Sequence, residues 1–116
     1  MRNKKNIGMK ETLKTIAKQI DYEELHMAGF KLVFSNEENY IAIRKGYKRL
    51  EIKYNSGMDD YTVTKQTFNR KYGYGNGIDY KEEVLNNIYW DQLKGIIEDF
   101  FNFEYILKST MRGWFK

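Results

Sequence analysis

The stretch from Phe30 to Phe68, FKLVFSNEENYIAIRKGYKRLEIKYNSGMDDYTVTKQTF, decides the fold of this chain. It contains four runs rich in Ile, Val, Thr, Tyr and Phe, the residue types that favour strands. Polar segments of hairpin length separate the runs. We therefore predict four antiparallel strands in a meander, because consecutive strands with short connections usually pair. The predicted strands are residues 30–34, 39–44, 47–54 and 60–68.

Side chains alternate along these runs, so each strand presents one apolar and one polar face. Antiparallel sheets often bury one face and expose the other to water. The predicted inner face carries Phe30, Leu32, Phe34, Ile41, Ile43, Leu50, Ile52, Tyr54, Tyr61 and Val63. The opposite face is predicted to carry Tyr40, Arg44, Arg49 and Lys53.

A helical region precedes the strands. An apolar stripe at helical spacing (Met9, Leu13, Ile16, Ala17, Ile20) predicts an amphipathic helix over residues 9–20. Asp21 and Glu24 have the spacing of a capping box, which indicates a second short helix and therefore a broken helix pair. Gly29 is a plausible residue to end it.

A second helical region is predicted after the strands. Asp79 and Glu82 have the spacing of another capping box, and a wide apolar stripe follows them. We predict one long helix from Asp79 to about Phe103. The predicted fold is therefore α+β: an N-terminal helix or broken helix pair, a four-stranded antiparallel meander and a long C-terminal helix, with both helices on one face of the sheet.

Length and composition limit the class of protein. With 116 residues, 41% hydrophobic and 31% charged, we expect a single domain spanning residues 1–116, with flexible tails at 1–8 and 109–116. No run of apolar residues is long enough for a membrane span, and no secretory signal is visible. The chain has no Cys, so we expect no disulfides and a cytoplasmic location.

Catalytic patterns are weak in this sequence. His26 is the only His and there is no Cys, so nucleophile–base and metal sites would lack partners. Asp59 and Asp60 could hold a divalent ion, but turns favour Asp for backbone reasons. We expect a protein that is not an enzyme and that needs no cofactor or metal.

A basic surface is the first candidate binding site. Tyr40, Arg44, Arg49 and Lys53 on the open sheet face combine charge with a stacking ring, as surfaces that bind single-stranded nucleic acid do. Glu51 lies among them and weakens the charge, and a solvated strand face is the simpler interpretation. The loop after the strands would extend this surface with Arg70, Lys71, Tyr72 and Tyr74.

The loop at residues 72–77 is the second candidate, because Gly-rich segments before helices can bind phosphate. Its GxGxG spacing matches neither dinucleotide-binding nor P-loop patterns. Asp79 at the start of the predicted helix would also repel an anion, so a flexible connection is the favoured interpretation. Trp114, near the C-terminus, is a further candidate contact residue.

The aromatic content and the charge distribution suggest a binding protein. Aromatic residues make up 16% of the chain, and Tyr, Trp and Arg dominate the energetics of protein interfaces. The abundance of Lys, Asn, Ile and Tyr suggests AT-rich coding, as in many phages and mobile elements. The leading hypothesis is a non-catalytic inhibitor, like anti-CRISPR or anti-restriction proteins. It would cover a surface of a host protein or nucleoprotein complex, such as a nuclease. The alternative is a small basic nucleic-acid-binding module.

Overall fold

The computed structural model describes residues 8–68 and 80–106 of the chain. These residues form an α+β fold, as predicted, with an antiparallel sheet and helices. No helix among them is long and apolar enough to cross a membrane. The elements in chain order are α1 (Glu11–Gln19), α2 (Tyr22–Met27), β1 (Lys31–Ser35), β2 (Tyr40–Lys45), β3 (Lys48–Asn55), β4 (Asp60–Phe68), β5 (Tyr80–Ile88), a 3-10 turn (Trp90–Gln92) and α3 (Leu93–Phe101).

The sheet is an antiparallel meander with the strand order β1-β2-β3-β4-β5. The first four strands lie within one residue of their predicted positions. Their connections contain residues with left-handed backbone conformations, Asn39 (φ 60°), Gly46 (φ 64°) and Asp59 (φ 55°). Gly, Asn and Asp adopt this conformation most readily, which is why these short polar segments turn the chain.

The four predicted strands are present, but the sheet has one more strand than predicted, and the prediction of one long C-terminal helix was wrong. Residues 80–88 form a fifth strand, and the helix is only α3. Glu82, which was predicted to cap a helix, lies in β5, and its carboxylate accepts a hydrogen bond from Gln66. Pairing with β4 supplies the backbone hydrogen bonds of this segment, so tertiary context overrides the local helical pattern.

A β-bulge explains why β5 resembled a helix. Leu85 is opposite Val63 and Ile88 is opposite Tyr61, so β5 has one more residue than β4 between the two pairs. Asn87 supplies the irregularity with a left-handed φ of 56°. The bulge places Leu85 and Ile88, three residues apart, on the same face. A spacing of three residues is also typical of side chains that share one face of a helix.

The core lies between the helices and one face of the sheet. The buried residues of the described helices belong to one cluster with the inward side chains of β2, β3 and β4. From the helices the cluster includes Leu13, Ile16, Leu25, Leu93 and Ile97, and from the sheet Ile41, Ile43, Leu50, Ile52 and Val63. The other face of the sheet receives none of these helical side chains.

The junction between α1 and α2 differs in detail from the predicted capping box. Asp21 is at the N-cap position of α2, but its φ is 53° and its side chain makes no capping hydrogen bond. The Glu24 carboxylate instead accepts a hydrogen bond from the backbone N–H of Ile106. Near that contact, the buried Tyr105 hydroxyl donates to the Ile20 carbonyl at 2.8 Å. These contacts fasten the segment after α3 to the end of α1 and to α2.

Candidate functional site

The open face of the sheet brings together the four strand residues that the sequence singled out. Tyr40 is opposite Lys53, and Arg44 is opposite Arg49, in the register of β2 and β3. Cross-strand partners point to the same side of a sheet, so all four lie on the face away from the helices. We call this surface the outer face.

A polar ladder occupies much of the outer face. Arg49 Nη1 lies 3.3 Å from Glu51 Oε1 and donates to Gln66 Oε1 at 3.2 Å. Gln66 Nε2 in turn donates to Glu82 Oε1 at 3.0 Å. The ladder crosses β3, β4 and β5 and pairs the Arg49 charge with a carboxylate.

Two basic residues of the outer face remain available. Arg44 and Lys53 are exposed and form no ion pair within residues 8–68 and 80–106. Lys31 is adjacent to Arg44 across β1 and β2 and is also exposed. The outer face therefore carries a few exposed cations beside a ladder in which Arg49 is already paired with Glu51.

The remaining candidates from the sequence contribute little to a site. Arg70, Lys71, Tyr72, Tyr74, the loop 72–77 and Trp114 lie outside the described residues, as do Asp79 and nearly all of both predicted tails. His26 is exposed, and its Nδ1 lies 3.4 Å from the Tyr22 hydroxyl. In the described part of the chain, no three His, Asp or Glu side chains cluster so as to hold a metal ion.

A groove of about 780 Å³ lies at one end of the sheet. It lies between α1, the β3–β4 turn and the 3-10 turn. We call it the aromatic groove, because four of its lining residues are Tyr or Trp. Its lining residues are Thr12, Thr15, Gln19, Tyr54, Met58, Asp59, Tyr61, Tyr89, Trp90 and Asp91.

The 3-10 turn fixes one wall of the aromatic groove. The backbone N–H of Tyr89 donates to Gln92 Oε1 at 2.8 Å, and the N–H of Gln92 donates to the Tyr89 carbonyl at 2.9 Å. Ile88 before the turn and Leu93 after it are buried in the core. Tyr89 and Trp90 are thus held on a closed turn between two anchored residues, yet they are 52% and 63% exposed.

The β3–β4 turn forms the opposite wall. The Tyr54 hydroxyl donates to Asp59 Oδ1 at 2.8 Å, and this hydrogen bond raises the pKa of Tyr54 above its ordinary value. The Tyr61 hydroxyl donates to Gln19 Oε1 at 2.7 Å, which connects the sheet to α1. The Tyr54 and Tyr61 rings lie 5.7 Å apart, centroid to centroid. Hydrogen bonds therefore orient both rings.

Asp60 supports this wall from the other side of the sheet. It is buried, and its two carboxylate oxygens accept hydrogen bonds from Asn55 Nδ2 at 3.0 Å and Asn87 Nδ2 at 2.9 Å. These bonds lower the pKa of Asp60, although burial acts in the opposite direction. Asp60 thus joins the β3–β4 turn to the bulge of β5. Its contacts explain the residue without a metal ion.

The aromatic groove is negatively charged on a basic protein. The whole chain has a net charge of +4, but the groove is lined by Asp59 and Asp91 and by no Lys, Arg or His. Neither carboxylate forms an ion pair within the described residues. The side chains that α1 contributes, Thr12, Thr15 and Gln19, are uncharged.

Sequence reasoning did not find the aromatic groove. Its walls come from three distant segments, near residues 12–19, 54–61 and 89–91. Tyr89 lies within the helix predicted from Asp79 to about Phe103, but the helix of the structure begins only at Leu93. The pair Asn86-Asn87 was a usable signal, because Asn favours turns and left-handed conformations. It would have separated the Tyr89-Trp90 pair from the preceding segment.

Comparison of the chain with protein-family models, with curated proteins and with solved structures found no significant match. The function is therefore inferred from the geometry and charge of the aromatic groove and the outer face.

Proposed function

We propose that this chain is a non-catalytic binding protein whose target is another protein, and that the aromatic groove is its contact surface. The proposed mode of action is occupation of a functional surface of the target. Small inhibitors of restriction or CRISPR complexes encoded by phages and mobile elements act in this way, and we propose the same class for this chain.

The observation that carries this proposal is the concentration of exposed large side chains in one groove. Met58, Tyr89 and Trp90 are 67%, 52% and 63% exposed, and all three line it. Exposed Trp and Tyr side chains in a concave setting are typical of the residues that dominate interface affinity. A water-exposed Trp loses a large apolar area on binding, which favours association.

The rigid presentation of these side chains supports the same function. The Tyr89–Gln92 hydrogen bonds and the buried neighbours Ile88 and Leu93 hold the turn before any partner arrives. Binding then orders few additional groups. A preorganised surface gains affinity because less conformational entropy is lost.

Affinity capture with matched variants tests the proposal. The baits are the wild type, Trp90→Ala, Tyr89→Ala and Tyr47→Ala. Tyr47 is 47% exposed and lies in the β2–β3 turn, at the opposite end of the sheet from the groove. We expect one partner that the wild type and Tyr47→Ala retain and that both groove variants lose. A partner retained equally by all four baits would refute the role of the groove.

A second candidate function is nucleic-acid binding through the outer face. It is favoured by the register that places Tyr40 beside Lys53 and Arg44 beside Arg49. Because Arg49 is already paired with Glu51, Arg44 and Lys53 are the residues that would contact phosphates. Glu51 and Glu82 on the same face oppose such binding.

Fluorescence anisotropy distinguishes this second candidate. Labelled single- and double-stranded DNA and RNA are titrated with the protein at low and at physiological salt. If the outer face binds nucleic acid, Arg44→Glu and Lys53→Glu weaken binding and affinity falls steeply with salt. Absence of binding at physiological salt removes this candidate.

A further inference from the structure

We propose that the aromatic groove receives an arginine side chain from a loop of the partner protein. This inference rests on the proposed function, because it specifies the chemistry of the same contact surface. Arginine is selected by the combination of charge, ring surface and size that the groove presents.

The charge of the groove favours a cationic ligand. Asp59 and Asp91 give the groove two carboxylates, and no lining residue is basic. The three lysines of the α1 region, Lys10, Lys14 and Lys18, follow a line separate from Thr12, Thr15 and Gln19 along the helix surface. An incoming cation therefore meets uncompensated negative charge, whereas a phosphate would be repelled.

The aromatic rings of the groove favour a planar cation. Tyr54, Tyr89 and Trp90 offer ring surface in the groove together with the carboxylates, and the buried Tyr61 lies behind them at 6% exposure. Cations are attracted to the faces of aromatic rings, and Trp is the strongest partner. A guanidinium group is planar and weakly hydrated, so it stacks on rings and also donates paired hydrogen bonds to carboxylates. Arginine can use both features of the groove, whereas the compact, strongly hydrated ammonium of lysine uses them less well.

The orientation of the Asp59 carboxylate fits the binding of an arginine side chain. Its Oδ1 accepts the hydrogen bond from the Tyr54 hydroxyl at 2.8 Å, which fixes the orientation of the carboxylate. A carboxylate has acceptor capacity for further donors beyond this one bond. An oriented acceptor beside a ring is the geometry that arginine recognition requires.

The size of the groove and the cost of desolvating its carboxylates disfavour an isolated side chain and an apolar occupant. A groove of about 780 Å³ is larger than one side chain needs and accommodates the neighbouring backbone of a loop. An apolar side chain would fill the space but would remove water from Asp59 and Asp91 without replacing its hydrogen bonds, which is unfavourable. An arginine on a partner loop replaces those hydrogen bonds by donating to a carboxylate, and it covers the rings.

The test uses the full chain with Trp114→Phe, so that Trp90 is its only tryptophan, since the sequence has two. The ligand is a short blocked peptide with a central arginine. The matched peptide carries citrulline, whose planar ureido group is close to the guanidinium in size and shape but has no charge and has a carbonyl oxygen in place of one NH₂ group. Trp90 fluorescence is followed during titration to tens of millimolar, at constant ionic strength.

We expect a saturable change with the arginine peptide and none with the citrulline peptide. Asp91→Asn and Asp59→Asn should each weaken binding by about three- to fivefold, the range of one exposed ion pair. Asn is chosen at position 59 because it tolerates the left-handed conformation found there. Glu37→Gln, at an exposed site in the β1–β2 turn, is the control and should change nothing.

Equal responses to the two peptides, or no response to either, would overturn the arginine assignment. These results are distinguishable from failure of the proposed function. A Trp90-dependent protein partner without arginine binding leaves the function intact and changes the occupant. Arginine binding without any Trp90-dependent partner confirms the chemistry of the groove but refutes its role in protein binding.

Discussion

The outer face and the aromatic groove differ in where their polar groups find partners. On the outer face, Arg49, Glu51, Gln66 and Glu82 satisfy one another in a ladder across three strands. In the groove, Asp59 and Asp91 have no cationic partner within the described residues. Charges that are paired inside the protein stabilise it modestly, whereas unpaired charges beside exposed rings remain available to a ligand.

The same comparison applies to the apolar side chains. The outer face has Val33 and Val84 exposed on its edge strands, separated by the polar ladder. The groove gathers Met58, Tyr89 and Trp90 at one place. Single exposed apolar residues are ordinary, but a group of them in a concave site indicates binding. Four substitutions test this difference.

Leu93→Ala should have the largest effect, because Leu93 is 1% exposed and anchors the 3-10 turn that carries Trp90. Loss of a buried leucine side chain leaves a cavity and lowers the free energy of unfolding by about 2–5 kcal/mol. Urea denaturation followed by circular dichroism measures it. The matched change on the outer face, Val84→Ala at 47% exposure, should cost no more than about 0.5 kcal/mol. Equal losses would mean that the groove wall is not fixed by the core.

Trp90→Ala should weaken partner binding by about 2 kcal/mol or more, near 30-fold, as expected for an interface hot spot. Its effect on stability should be small, since Trp90 is 63% exposed. Isothermal titration calorimetry with the captured partner gives the affinity. Arg44→Glu, on the outer face, serves as the control and should leave it within about threefold. A large loss of affinity in Arg44→Glu with little change in Trp90→Ala would assign the interface to the outer face.

Acidification tests the support that Asp60 gives to the groove wall formed by the β3–β4 turn. Hydrogen bonds from Asn55 and Asn87 lower the pKa of Asp60, so the ionised form stabilises the fold above the unfolded-state pKa of about 3.9. This stabilisation should disappear as the pH falls through the depressed folded-state pKa. Asp60→Asn should be less stable than the wild type at neutral pH, and urea unfolding at several pH values should show the difference shrinking below about pH 4. A constant difference would contradict the role of the ionised carboxylate.

Arg49→Ala should have the smallest effect of the four substitutions. The side chains of Arg49 and Glu51 are 24% and 27% exposed, and such partly solvated pairs contribute less than about 1 kcal/mol. A double-mutant cycle with Glu51→Ala, measured by urea denaturation, isolates their coupling. Lys53→Ala, which removes an exposed cation without an ion pair in the described residues, should cost less. A larger loss at Lys53 would show that the ladder is not the main polar interaction of the outer face.

The outer face was accessible to sequence reasoning because it depends on local periodicity. Alternation along β2 and β3 fixes which side chains share a face, and the short connections fix the register. Tyr40, Arg44, Arg49 and Lys53 were therefore grouped correctly. Their partners were not foreseen, because Gln66 and Glu82 reach Arg49 only through the β3–β4 and β4–β5 pairings.

By itself the sequence determined the α+β class, the positions of the first four strands, their meander order and the face they bury. These follow from side-chain alternation and turn residues, which act between neighbours in the chain. Only the tertiary structure decided that residues 80–88 form a strand, since the bulge at Asn87 gives a strand the three-residue spacing of a helix. The tertiary structure also created the aromatic groove, because Gln19, Tyr54 and Trp90 come together only after the sheet forms and α1 packs against it. Contacts between distant segments leave no local period that sequence reasoning can detect.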